Sequence, residues 1–100
     1  MDRILNLISI ATKAGKVKTG EFLTTKTLQE GYGELVVIAT DTSEKSTKRL
    51  MGISENYGCR CVIYGTKEEL GRFCGKEAKS VICITDKGFK DAVLKKIDNK

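Results

Sequence analysis

Leu35-Val36-Val37-Ile38-Ala39-Thr40 is an unbroken apolar run rich in β-branched side chains. That is the pattern of a strand covered on both faces, where a half-exposed strand would alternate. A strand of this kind needs helices above and below it, so the run sets the architecture. Val81-Ile82-Cys83-Ile84 repeats the pattern, and Cys61-Val62-Ile63-Tyr64 reads as a shorter buried strand closed by Gly65. Between and around these strands the apolar spacing turns helical. Ile4, Leu7, Ile8 and Ala11 place an amphipathic helix over residues 2–14, with Asp2 as its cap and Gly15 as its end. A second helix begins at Thr19 or Gly20 and runs to about Glu30, which leaves room for only a very short strand over Lys16 to Thr19. A third, over residues 43–57, turns Leu50, Met51, Ser54 and Tyr57 inward, and Gly58 ends it. Thr66-Lys67-Glu68-Glu69 is a capping box that opens a short helix to Cys74. Thr85-Asp86 caps a last helix with Phe89, Ala92, Val93 and Ile97 on one stripe.

The alternation of helix and strand predicts an α/β chain. Its expected form is a three-layer α/β/α sandwich, with a mixed, largely parallel sheet of about four strands joined by right-handed crossovers. One hundred residues support one hydrophobic core, so residues 1–100 form one domain. Hydrophobic residues at 40% and charged ones at 31% exclude the disordered and collagen-like classes. No apolar run approaches the roughly 20 residues of a membrane helix, and no basic-then-apolar signal region opens the chain. Cys59, Cys61, Cys74 and Cys83 lack metal-site spacing, and histidine is absent. They read as buried free thiols, which fits a reducing cytoplasm and no membrane contact.

Enzyme signatures fail where they are sought. Gly71-Arg72-Phe73-Cys74-Gly75-Lys76-Glu77 has one residue too few between its glycines for a phosphate loop and ends in Glu. Gly31-Tyr32-Gly33 lacks a third glycine and precedes a strand, so it reads as a helix-ending turn. Glu68 and Glu69 belong to the capping box, and helix capping accounts equally for Asp41 and Asp86. No catalytic residue, cofactor or metal is expected. What stands out is charge. Eighteen basic residues against thirteen acidic ones give +5, and Ala11 to Lys26 holds four lysines and one acid. Lys13, Lys16 and Lys18 precede Gly20, which lets backbone approach a ligand, and a helix opening there offers free N–H groups to phosphate.

Three stretches taken together carry a resemblance. These are Gly20-Glu21-Phe22-Leu23-Thr24-Thr25-Lys26, then Leu35 to Asp41, then Tyr64-Gly65-Thr66-Lys67-Glu68-Glu69-Leu70-Gly71-Arg72-Phe73-Cys74-Gly75. The chain resembles the kink-turn-binding superfamily of ribosomal proteins "seven-Ae" and "thirty-e", most closely its bacterial YlxQ-like branch, whose Thr-Asp-x-Gly-Phe is matched by Thr85 to Phe89. The resemblance implies a non-catalytic, cytoplasmic RNA-binding protein of the ribosome or translation machinery, with a kink-turn-like or ribosomal RNA as partner. It also implies two contact regions. The Gly-x-Asn-Glu-x-x-Lys turn and helix is matched at Gly20 and Lys26, while Phe22 and Leu23 stand where Asn and Glu would read the base pairs. The loop before the last core strand is matched by Gly75-Lys76-Glu77-Ala78-Lys79. The expected backbone contacts are therefore Lys16, Lys18, Gly20, Lys26, Lys76 and Lys79, with Gly75 and Ala78 in the same loop. Glu21, Phe22 and Asp41 are the base-side candidates. The alternative is a protein-protein adaptor of the translation machinery that has lost kink-turn recognition. Exposure of Phe22 separates the two, because a buried ring beneath a positive patch favours phosphate and an exposed apolar patch favours a protein partner.

Overall fold

The computed structural model describes residues 2–99. In chain order it runs α1 (Arg3–Lys13), β1 (Val17–Thr19), α2 (Glu21–Gln29), β2 (Leu35–Ile38), α3 (Glu44–Asn56), β3 (Arg60–Ile63), α4 (Lys67–Phe73), β4 (Val81–Ile84) and α5 (Lys87–Asp98). The four strands form one sheet in the order β1-β4-β2-β3. Alternate side chains of the two central strands go to opposite helical layers, and both sets are fully covered. Leu35, Val37, Ile82 and Ile84 pack with Ile4, Leu5 and Ile8 of α1, Leu70 of α4 and Val93 of α5. Val36, Ile38, Val81 and Cys83 pack with Leu28 of α2 and Leu50 of α3. This is the expected three-layer sandwich.

The sheet is mixed, yet less parallel than the sequence pattern suggests. Only β2 and β3 run parallel, while β4 is antiparallel to both of its neighbours, β1 and β2. The cause is α4. At seven residues it rises only about 10 Å, too little to carry the chain back across the sheet. Residues 75–79 instead double back along it. The Lys76 N–H donates to the Gly71 carbonyl at 2.8 Å, and the Lys79 N–H donates to the Lys67 carbonyl at 3.0 Å. A side chain at Gly71 would prevent this, because a Cβ there would lie 2.0 Å from the Glu77 carbonyl oxygen. β4 thus enters at the end of the sheet where β3 finished, and must run against it.

Two further expectations need correction. β3 is an edge strand and not a buried one, with Ile63 at 48% exposure. In α3, Leu50 and Ser54 are buried as expected, but Met51 and Tyr57 are 44% and 50% exposed. The reason is shared: α3 packs on β2 and on the edge strand β3, so little sheet lies beneath its outer side. The caps at Asp2, Thr66 and Asp86 hold as read, each accepting an N–H from the first turn of its helix, and Thr66 and Glu69 form the reciprocal capping box; α3 is capped by Ser43 and not by Asp41. Cys59, Cys74 and Cys83 are buried and Cys61 half-buried, all as free thiols. Burial pushes the Cys59 thiol up to about 11 and the Cys83 thiol up to about 12.

Candidate nucleic-acid interface

Antiparallel pairing of β1 with β4 joins two segments far apart in the chain. Thr19 lies opposite Ile82, and the Gly20 N–H donates to the Val81 carbonyl at 2.9 Å. The β1–α2 joint and the loop before β4 therefore meet at one end of the sheet. Gly20 has φ +89°, a conformation that side-chain-bearing residues rarely adopt. It contributes no cap to α2, so the first-turn N–H groups of that helix are left without a side-chain partner from the cap residue. Lys79 covers this opening, its Nζ lying 3.9 Å from where a Cβ on Gly20 would stand. An ammonium above the positive end of a helix, with backbone accessible beside it, is an arrangement suited to an anion.

The loop that carries Lys79 is anchored on both sides. The Ser80 carbonyl accepts from the Ala39 N–H at 2.8 Å and from the Thr42 hydroxyl at 3.2 Å. Gly75, Lys76 and Ala78 are exposed on the same loop. On α2 the buried side is Thr24, Thr27 and Leu28. The outward side carries Phe22 and, one turn on, Lys26, with Leu23 beside them. Phe22 is 78% exposed and Leu23 41%, so an apolar pair stands in water next to the lysines.

Other residues singled out in the sequence have different surroundings. Glu21 is ion-paired with Arg49 of α3, whose Nε donates to its Oε1 at 2.9 Å. That contact draws the carboxylate toward the neighbouring helix. Asp41 accepts the Lys67 N–H at 2.8 Å and so caps α4, not the helix that follows it in sequence. Lys16 lies at the opposite end of β1 from Gly20, its carbonyl accepting the Thr85 N–H at 2.9 Å and its own N–H donating to Ala11. Four extended residue steps put the two positions about 13 Å apart. Lys16 and Lys18 line a separate cleft of about 430 Å³ with Gly15, Thr27, Glu30, Tyr32 and Thr85. The basic stretch from Lys13 to Lys26 is therefore divided between two places. Sequence reasoning missed Arg49 and Tyr32. Nothing local marks Arg49, 28 residues from its partner. Tyr32 was visible as an aromatic between two glycines.

With that geometry in hand, the match to known proteins is direct. The model of the ribosomal protein L7Ae/L30e/S12e/Gadd45 family matches residues 2–94. The chain belongs to this family. Among its L7Ae-family relatives, the RNA-binding protein YlxQ of Bacillus subtilis is 30% identical, covering 92% of this chain and 92% of its own length. The large ribosomal subunit protein eL8 of Haloquadratum walsbyi is 32% identical over 99% of this chain and 84% of that protein. In three dimensions, the 15.5kD RNA binding protein of Giardia lamblia superposes with a TM-score of 0.78 at 26% identity, covering 95% of this chain and 84% of that one. The L7Ae fold thus accounts for the element order here. No helix among the described residues is long and apolar enough to cross a membrane.

Proposed function

We propose that this L7Ae-family chain is a non-catalytic, ribosome-related RNA-binding protein that grips the phosphate backbone of a structured RNA at the Gly20–Lys79 end of its sheet. The observation that carries the reading is the 3.9 Å approach of Lys79 Nζ to the Cβ position that Gly20 leaves empty. It brings together the turn and the loop that the family resemblance marks as contact regions. Phosphate contacts fix register without reading sequence, which suits a site whose two base-reading positions are occupied by Phe22 and Leu23. The exposed Phe22 ring adds a stacking platform for an unpaired base. The names of the relatives, YlxQ and the Giardia protein, support the same ligand class. The carboxylates that an enzyme reading would recruit, Asp41, Asp86 and Glu69, are engaged in helix capping.

Titrating a kink-turn stem-loop RNA and a plain duplex over a range of salt tests this. Each phosphate neutralised contributes about 0.7–0.9 to the log-log salt slope. Lys79→Ala and Lys26→Ala are each expected to lower the slope by about one contact and to weaken binding by on the order of 1 kcal/mol. Lys96→Ala, in the last turn of α5, serves as the control. An unchanged slope in both test variants would remove these lysines from the interface. One observation favours a second reading, that of an adaptor for a protein of the translation machinery: Phe22 and Leu23 are both exposed. On that reading Phe22→Ala leaves RNA affinity untouched and abolishes retention on ribosomes.

A further inference from the structure

We infer that the cleft at the far end of β1 is a second nucleotide site. It takes one unpaired base and its phosphate from a single-stranded flank of the same RNA, and so rests on the RNA-binding reading. Tyr32 is the main reason. It lines the cleft and is 68% exposed, yet its backbone is held firmly. The Tyr32 N–H donates to the Thr27 carbonyl at 3.1 Å, the Gly31 N–H to Leu28 at 3.1 Å, and the Glu34 N–H to Ile84 at 2.9 Å. Gly33 packs so closely that a Cβ would fall 2.6 Å from Leu28 Cδ2 and 3.3 Å from Cys83 Sγ. The ring therefore stands on a stiff turn in water. A preorganised aromatic loses little freedom on binding, and every base offers it a π-face.

The rest of the lining orients such a ligand. Lys16 and Lys18 supply two exposed ammoniums along β1, while Glu30 supplies a carboxylate at the end of α2. Phosphate is attracted to the β1 side and repelled from the Glu30 side. The base is left to Tyr32, with Glu30 able to accept from its ring or amino N–H groups. The cleft, about 430 Å³, falls within the range of small-ligand sites. Lysines on an edge strand also deter strand-to-strand pairing, which is sufficient for Lys18 by itself. It does not explain a bare tyrosine on a stiff turn beside them. With about 13 Å between Lys16 and Gly20, one RNA strand leaving the first site reaches the second.

Two measurements on the intact protein test the inference. In ¹⁵N-labelled protein, adenosine monophosphate is expected to shift the amides of Gly15, Thr27, Tyr32 and Thr85, and ribose 5-phosphate to shift them far less. A kink-turn stem-loop carrying a single-stranded oligo(A) tail is expected to bind about fivefold or more tightly than its blunt form, from the stacking of one base. Tyr32→Ala should erase that advantage while leaving blunt-RNA affinity unchanged, and Tyr32→Phe should keep it. No amide shift with the nucleotide, or equal affinity for tailed and blunt RNA, overturns the second site. If neither RNA binds, the RNA-binding reading falls, and the nucleotide titration still decides whether the cleft takes a base.

Discussion

Two glycines inside helices make opposite predictions when changed to alanine. At Gly71, in α4, a Cβ would lie 2.0 Å from the Glu77 carbonyl oxygen, 2.5 Å from its carbon and 2.9 Å from Ala78 Cα. All three atoms are backbone, so no side chain can swing aside. A carbon and an oxygen approach no closer than about 3.3 Å, so residues 75–79 must retreat by about 1.3 Å. Such a retreat stretches the Lys76-to-Gly71 and Lys79-to-Lys67 hydrogen bonds from 2.8 and 3.0 Å to beyond bonding range. Overpacking costs about 1–3 kcal/mol. The two weakened bonds add about 1 kcal/mol each, and the better helix propensity of alanine returns about 1 kcal/mol. The net loss is about 2–4 kcal/mol, which in a domain of this size lowers Tm by about 10–30 °C. Gly52→Ala is the counterpart. Gly52 sits mid-helix in α3, exposed, with nothing within 4 Å of where a methyl carbon would stand, so the propensity gain of about 1 kcal/mol stands alone and Tm rises by about 5 °C. Thermal melts followed by circular dichroism read both. A Gly71→Ala protein that melts with the wild type would refute the argument that the loop is seated directly on α4.

Two more predictions follow from the site and the core. Replacing the apolar pair at the outer start of α2 with the polar pair of the resembling family, as Phe22→Asn with Leu23→Glu, should raise affinity for a kink-turn stem-loop by about tenfold or more; no gain in a filter-binding titration would mean that this helix does not face the base pairs. Alkaline pH should destabilise the protein, because burial holds the Cys59 and Cys83 thiols at about 11 and about 12 against an ordinary value of 9.0. Across that window the unfolded chain gives up protons that the native state retains, so stability is complete below about pH 9 and falls as pH rises toward the folded values. Urea midpoints at about pH 8 and about pH 10.5 should fall less steeply in a Cys59→Ala, Cys83→Ala double variant; equal falls would assign the loss to other groups.

Much of this was legible from the chain alone, for local reasons. β2 and β4 announce themselves because a strand covered on both faces has no polar positions. The caps at Asp2, Thr66 and Asp86 are read within one helical turn of the residue concerned. Gly20 was visible as an opening. What stayed hidden depends on where the chain goes next. Strand direction turned on the length of α4 and on a backbone contact at Gly71, and neither is a matter of hydrophobic pattern. Lys16 and Lys26 looked like one basic patch because they are close in sequence, but a strand and a helix carry them to separate places. Glu21 and Asp41 looked available to a ligand until partners from distant elements, Arg49 and Lys67, were seen to hold them.

The placement of β4 between β1 and β2 bears on how the molecule is made. Val17 pairs with Ile84 and Leu35 also pairs with Ile84, so β1 and β2 find their shared neighbour only once residues 81–84 have been made. A ribosome-bound nascent chain that has emerged only through α4 owns a β2–β3 pair and a stranded β1, each with an unsatisfied margin. The sheet closes only after β4 has followed the other three strands, which makes assembly slow and leaves products truncated before β4 prone to stick to one another.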